Sequence, residues 1–216
     1  MAVDTMKMRY ERLGRYVANN MQKRNFDAYY VPTKEEALEK AISLIPEDAL
    51  VSWGGSATIR EIGLTDAVKN GPYRVIDRDE AKDMAERMER MRRALLCDVF
   101  LTSSNAITEG GILINVDGGG NRVAALTFGP KEVIVVAGMN KVVPTVDDGI
   151  ARIRAVAAPT NMMRFVTEDT KTPCALTGRC GDCNMKDTIC CHWVMTKRSM
   201  TAQRIHVILV GEELGY

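Results

Sequence analysis

The stretch 26-FDAYYVPTKEEALEKAISLIPEDALVSWGGSATIREIGL-64 alternates short apolar runs with segments of helical character. Phe26 to Val31 is rich in aromatic and apolar residues and reads as a strand. Thr33 followed three residues later by Glu36 is a capping-box signature, and the helix it opens runs to about Ile45, where Pro46 stops it. Leu50 to Trp53 is strand-like again, Gly54-Gly55 a tight turn, and Ser56 to Asn70 a second helix closed by Gly71-Pro72. Strand, helix and strand in succession build a parallel sheet with helices on its faces, so the stretch points to a layered α/β fold.

The same rhythm extends outward. Met6, Tyr10, Leu13, Tyr16, Val17 and Met21 recur at three- and four-residue steps and predict an N-terminal helix. Tyr73 to Asp77 is another strand, and Asp79 is expected to cap a helix to about Leu96, with Met84, Met88 and Leu95 on its apolar stripe. Arg87, Arg90, Arg92 and Arg93 alternate there with Glu86 and Glu89, the pattern of a solvated face. From Asp98 the pattern changes. Val99 to Thr102, Gly111 to Val116, Val123 to Phe128 and Glu132 to Ala137 are β-rich runs too close together for helices between them. Asp117 to Asn121 is expected to turn a hairpin. Asp147 is the expected N-cap of a helix to about Ala158, ahead of Pro159, and Arg204 to Val210 the last strand. No internal repeat interrupts this order, so one domain is expected over residues 1–216, with a Cys-rich excursion at 172–193.

With 46% apolar and 26% charged residues the chain has the make-up of a folded globular protein. Its 29 Lys+Arg balance 28 Asp+Glu, which argues against affinity for nucleic acid built on phosphate neutralisation. No apolar run has the length of a membrane span, and MAVDTMKMRYERLG at the N-terminus lacks the apolar core of a signal peptide, so a cytoplasmic location is expected. Of six cysteines, five lie between Cys174 and Cys191, and in a reducing compartment such a cluster speaks for thiolate chemistry rather than disulfides.

Four motifs can carry chemistry. Gly54, Gly55 and Ser56 stand where a strand meets a helix, at the sheet edge that commonly binds ligands; a tight turn with a serine cap explains them equally. In SSNAITEGG, Asn105 and Thr108 follow an apolar strand, and Glu109 beside Gly110 is a carboxylate that burial could turn into an acid or base; a polar strand-end loop is the plainer account. In DGGGNR, Gly119 and Gly120 can present N–H groups to an anion and Arg122 can grip a carboxylate or phosphate, although Asp-Gly is also a hairpin-turn signal. This is no dinucleotide fingerprint, because the glycine order is wrong and the segment is expected to open a strand. Lastly, Cys174, Cys180, Cys183, Cys190 and Cys191 are spaced C-x5-C-x2-C-x6-C-C, with His192 adjacent. Four thiolates suit zinc or an iron–sulfur cluster and the C-x2-C pair suits redox exchange, but the spacing matches neither a ferredoxin run nor paired zinc knuckles. His192 and His206 are expected to be structural.

The segments GGSATIREIGL (54–64), DVFLTSSNAITEGGILINVDGGGNRVAALTFGPKEVIVVAGMNKVV (98–143), IARIRAVAAPTNMMR (150–164) and the closing RIHVILVGEELGY together resemble the LUD family, named for lactate utilisation. The resemblance implies a three-layer α/β/α fold of the CoA-transferase/ribose-phosphate-isomerase type with a mostly parallel sheet. It also implies kinship with subunits that oxidise L-lactate beside iron–sulfur proteins, although many stand-alone members have no settled activity. Short relatives share a TPC…TG.C.DC…IC segment, which falls on Cys174, Cys180, Cys183 and Cys190 and makes them the candidate metal ligands; Cys191 and His192 lie outside it. Analogy with the Glu nucleophile of CoA transferases marks Glu109 as the candidate acid/base.

The leading expectation is a small anionic metabolite, an organic acid or phosphorylated compound, bound by Gly54, Gly55, Ser56, Asn105, Thr108, Gly110, Gly119, Gly120, Asn121 and Arg122. Whether catalysis follows is left open. The alternative is an accessory redox or interaction subunit with an iron–sulfur cluster or zinc on its Cys segment. Expected partners are the metabolite, an iron–sulfur or electron-transfer protein, and a second copy of the chain in a homo-oligomer.

Overall fold

The computed structural model describes residues 4–216. In chain order the elements are α1 (Thr5–Gln22), β1 (Asp27–Val31), α2 (Lys34–Ser43), β2 (Leu50–Trp53), α3 (Ala57–Glu61), α4 (Leu64–Asn70), β3 (Arg74–Ile76), α5 (Met84–Arg93), β4 (Val99–Thr102), β5 (Ala106–Thr108) and β6 (Leu113–Asp117). There follow α6 (Asn121–Thr127), β7 (Glu132–Gly138), β8 (Val142–Val143), α7 (Val146–Arg152), α8 (Ala158–Met162), α9 (Pro173–Thr177), β9 (His192–Thr196) and β10 (Ile205–Val210).

Six strands form a parallel sheet in the order β1-β10-β7-β4-β2-β3. Its central strands, EVIVVAG and IHVILV, are apolar almost throughout because both faces are covered. Period-two alternation sorts the side chains: Val133, Val135 and Ala137 meet Val17, Ala18 and Met21 of α1 on one face. Ile134 and Val136 meet Ala37 and Ala41 of α2, Ile59 of α3, and Leu64 and Val68 of α4 on the other. The result is the expected three-layer α/β arrangement with a mostly parallel sheet. His206 is structural here, its ring nitrogens 2.9 Å from Asp27 Oδ2 and 3.2 Å from Glu132 Oε2, which links three neighbouring strands.

From β2 the chain steps outward to β3 and returns to β4 on the opposite side of β2. The loops leaving β2 and β4 diverge at this switch, which opens a crevice at the carboxyl edge of the sheet. A second sheet, β8-β5-β6-β9, stands beside that edge and packs Ala106, Ile114 and Val116 against Ile153 and Ala158.

Several sequence expectations are corrected. The helix over 56–70 is two, broken at Gly63, where a left-handed φ of 76° starts α4 anew. Asp79 does not cap the next helix; Asp83 does, accepting the Glu86 N–H at 2.8 Å. Asp77 instead caps a single 3-10 turn, Arg78–Glu80, which delivers Arg78 directly to the end of β3. The hairpin expected at Asp117–Asn121 is a strand-to-helix turn, and Val123 to Phe128 lies mostly in α6. The Asp117 carboxylate accepts the N–H groups of Gly120 and Val123, both at 3.3 Å, and Gly120 takes a left-handed φ of 79° to start the helix. A short apolar run does not reveal its period, so turn chemistry decided the expectation and decided it wrongly. The hairpin of this region is β5–β6, turning through Glu109–Gly111, with Thr108 N–H on Ile112 O and Gly111 N–H on Thr108 O. Thr145, not Asp147, caps α7 in a reciprocal capping box with Asp148. The helix also passes Pro159: a π-turn over Ile153–Ala157 widens the backbone just where the proline ring would strike the preceding turn.

Candidate functional site

A cavity of about 320 Å³ occupies the crevice at the carboxyl edge. The parallel sheet supplies Gly55, Ser56 and Thr58 after β2, Arg78 and Asp79 after β3, Ser103 to Asn105 after β4, Lys141 after β7 and Tyr216 beyond β10. The second sheet and α6 add Val116, Asp117 and Asn121-Arg122, the end of the long helix adds Asn161 and Arg164, and Cys190 comes from the Cys segment. The volume admits a small metabolite.

Positive charge dominates the walls. Arg78, Arg87, Arg122, Lys141 and Arg164 face only two carboxylates, Asp79 and Asp117, although the whole chain is near neutral. Arg122 is fully engaged: Nη1 donates to Asn115 Oδ1 at 2.6 Å and Ser103 O at 3.2 Å, while Nη2 donates to Val116 O at 2.7 Å and Asn105 Oδ1 at 2.9 Å. Its Nε lies 3.6 Å from Asp117, so this guanidinium ties the β4 loop to β6 and offers a ligand its field more than its hydrogens. Arg87 is paired with Asp79 at 2.9 Å, and Arg164 donates to Gly55 O, Asn161 and Tyr216.

Arg78 differs. Its buried Nε has no hydrogen-bond partner and only a loose ion pair with Asp79 at 3.9 Å, and Nη1 reaches only the Met91 sulfur at 3.6 Å. Burial pulls its pKa down, partly offset by Asp79. The guanidinium lies so close to Gly55 that a Cβ there would collide with Nη2, so glycine leaves room for Arg78 to stand where it does. An unpaired buried N–H costs stability unless something completes it.

Lys141, 3% exposed, donates from Nζ to Thr58 Oγ1 at 2.7 Å and to Ser103 Oγ at 3.0 Å. Burial, reinforced by Arg152 and Arg122 and opposed weakly by Glu61, lowers its pKa to about 7. The ammonium and the free amine are therefore comparably populated at neutral pH.

Of the residues singled out from sequence, Gly55, Ser56, Asn105, Gly119, Asn121 and Arg122 line the cavity. Gly54 packs on the Arg122 stem, and Gly120 lies under the His192 ring. Ser56 caps α3 and Asn105 Oδ1 accepts from Val116 and Arg122, so both shape the wall from within hydrogen bonds of their own. Thr108, Glu109 and Gly110 are not brought to the cavity. They form the β5–β6 turn, with Glu109 N–H on Val143 O and the carbonyls of Glu109 and Gly110 held by Asn20 and Arg24. Arg78, Lys141, Arg164 and Tyr216 escaped the sequence reading. Arg78 and Lys141 did carry a signal, each a cation just past the end of an apolar strand.

All six cysteines are free thiols, and Cys97 is buried in the core rather than near the Cys segment. Cys190 reaches the wall, and its pKa is pushed up to about 11 by burial and by the proximity of Cys180, Cys174, Cys183 and Cys191. Three of the four family-like thiols, Cys174, Cys180 and Cys183, are thus near enough to the fourth to raise its pKa. Yet among the described residues no three Cys, His, Asp or Glu groups close on a point that could hold a metal ion. The donor chemistry suits zinc or a cluster; the present spacing does not.

A family model described as LUD domain matches residues 15–210. The chain belongs to the LUD domain family. A crystal structure of a DUF162 family protein from Deinococcus radiodurans is similar to this LUD domain protein over 93% of its chain and 98% of the other, with a TM-score of 0.52. At 16% identity this likeness concerns the fold alone. No curated protein matches the chain. Among the described residues of this LUD domain protein, no helix is long and apolar enough to cross a membrane.

Proposed function

We propose that this LUD domain protein binds a small organic anion, a hydroxy or oxo acid or a phosphate ester, in the cavity at the carboxyl edge of its sheet. The observation that carries the reading is Arg78: a guanidinium on the cavity wall with no hydrogen bond to an oxygen, only the Met91 sulfur and a loose 3.9 Å ion pair with Asp79, where cations outnumber carboxylates. Completing it with an anionic oxygen would form a charge-assisted hydrogen bond. Ser56 and Asn121 would add neutral contacts, and the fields of Arg122 and Arg164 would favour the negative charge. A hydroxy or oxo acid is also in keeping with the family's association with lactate. Glu109 has no part in this reading, being held in the β5–β6 turn.

Thermal-shift and calorimetric titrations with lactate, pyruvate, oxalate and inorganic phosphate test it. Loss of a hydrogen bond to a charged group costs about 1.5–3 kcal/mol, so Arg78→Gln should weaken the best anion by roughly 10- to 150-fold. Equal affinity in the variant, or no binding by any of the four, overturns the reading.

The thiols around Cys190 favour a second reading, in which the Cys segment holds an iron–sulfur cluster or zinc and docks an electron-transfer partner. Cys174, Cys180, Cys183 and Cys190 would be the ligands, after drawing closer than they now stand. Anaerobically purified protein with brown absorbance lost in Cys183→Ser supports a cluster, and colourless protein with stoichiometric zinc supports a structural site. Metal-free protein removes both.

A further inference from the structure

We propose that Lys141 is a nucleophile that forms an imine with the carbonyl carbon of an anionic oxo compound bound in the cavity. This rests on the anion-binding reading above and goes further, because it requires a ketone or aldehyde in the ligand.

The argument is one of placement. Lys141 is almost fully buried and lines the cavity, yet it takes part in no ion pair among the described residues. Its two partners are the hydroxyls of Thr58 and Ser103, which can hold an amine as readily as an ammonium. The charges felt most strongly by the amine are the guanidiniums of Arg152 and Arg122, with Glu61 a weaker counterweight. A lysine kept only for structure would be expected to have a carboxylate beside it, since an unpaired buried ammonium is costly. This surrounding instead favours the free amine, whose lone pair is the nucleophile. Arg122 also lends its field to the cavity, where Arg78 would hold the ligand's anionic group.

The step balances without a further reagent. The amine nitrogen forms a bond to the carbonyl carbon as the C=O π pair moves to oxygen. A proton passes from nitrogen to that oxygen, a transfer the Ser103 and Thr58 hydroxyls are placed to relay. The remaining N–H proton then passes to the carbinolamine hydroxyl, which leaves as water as the nitrogen lone pair forms a C=N bond to Lys141. The imine, once protonated, would withdraw electrons from the adjacent C–H or C–C bond.

Reductive trapping tests the proposal. The wild-type chain is incubated with sodium cyanoborohydride and either pyruvate or dihydroxyacetone phosphate, which separates a carboxylate ligand from a phosphate one. Peptide mapping then locates the adduct. At pH 7 Lys141 has roughly a thousandfold larger unprotonated fraction than an ordinary lysine, so, allowing for its lower basicity, at least about tenfold more adduct is expected there than at any other lysine. Lys141→Met should lose the adduct, and competing oxalate or phosphate should suppress it. Adduct spread over many lysines, or none at Lys141 from either probe while oxalate or phosphate binds by calorimetry, overturns the imine and leaves the anion site standing. Failure of every anion to bind overturns both.

Discussion

Replacing Lys141 by Met gives a stability difference that changes with pH in a calculable way. The amine titrates at about 7 in the folded protein and near 10.4 in the unfolded chain. Between these values the unfolded state binds more protons, so wild-type stability rises with pH. The penalty is fully present below about pH 7 and is gone above about 10.4. Linkage between the two values puts the recovery from pH 7.5 to 9.5 at about 2.5 kcal/mol. Methionine fills similar space and does not titrate, while other groups titrate in both proteins and largely cancel in the difference. Loss of the hydrogen bonds to Thr58 and Ser103 adds a nearly pH-independent offset of about 1 kcal/mol each. Urea unfolding of both proteins at pH 6.5, 7.5, 8.5 and 9.5 gives the difference directly. The advantage of the Met variant over wild type should fall by about 2.5 kcal/mol between pH 7.5 and 9.5. A difference that is flat over that interval, or that moves toward the variant as pH rises, refutes the buried, unpaired amine.

Arg122→Ala should cost about 3–5 kcal/mol, because it leaves Asn115, Asn105 and Asp117 without their shared buried donor; urea unfolding checks it, and a loss under 1 kcal/mol would show that the tie is not formed. Gly55→Ala should displace the Arg78 guanidinium, weakening anion binding at least about tenfold in calorimetry while changing stability by only about 1 kcal/mol. Glu109→Gln should leave anion affinity within about twofold of wild type, since Glu109 sits in the β5–β6 turn rather than on the cavity wall. Gly120→Ala places a side chain at a left-handed φ and should destabilise the start of α6 by about 1–2 kcal/mol, measurable by thermal unfolding.

The layered fold was legible in the sequence because its central strands and the helices over them have clear periods and clear stops. Thr33 caps α2 through the Glu36 N–H, although the Glu36 carboxylate takes the Thr33 hydroxyl rather than closing the capping box; Pro46 follows the helix end, and the runs at 132–138 and 205–210 are apolar because both faces are buried. Errors arose where one signal has two physical meanings. Asp-Gly at 117–118 reads as a hairpin turn, but the Asp117 carboxylate spends its oxygens on the N-terminus of α6. Pro159 reads as a stop, but the π-turn before it lets the helix continue. The glycine-rich half of the site was visible for the same reason that turns are visible. Arg78, Lys141 and Arg164 were not, because what sets them apart is burial and missing partners, and these appear only once the loops after β2, β3, β4 and β7 converge. Glu109 shows the reverse: beside two glycines it looks like a site residue, and its backbone bonds place it in a turn.

The anion-binding claim is tested most directly by a crystal structure of the protein grown with oxalate or with a heavy oxyanion such as tungstate. The account predicts density in the carboxyl-edge cavity, with an anionic oxygen within hydrogen-bond distance of the Arg78 guanidinium. An anion bound only elsewhere on the surface, with the Arg78 guanidinium gaining no oxygen acceptor, would contradict it.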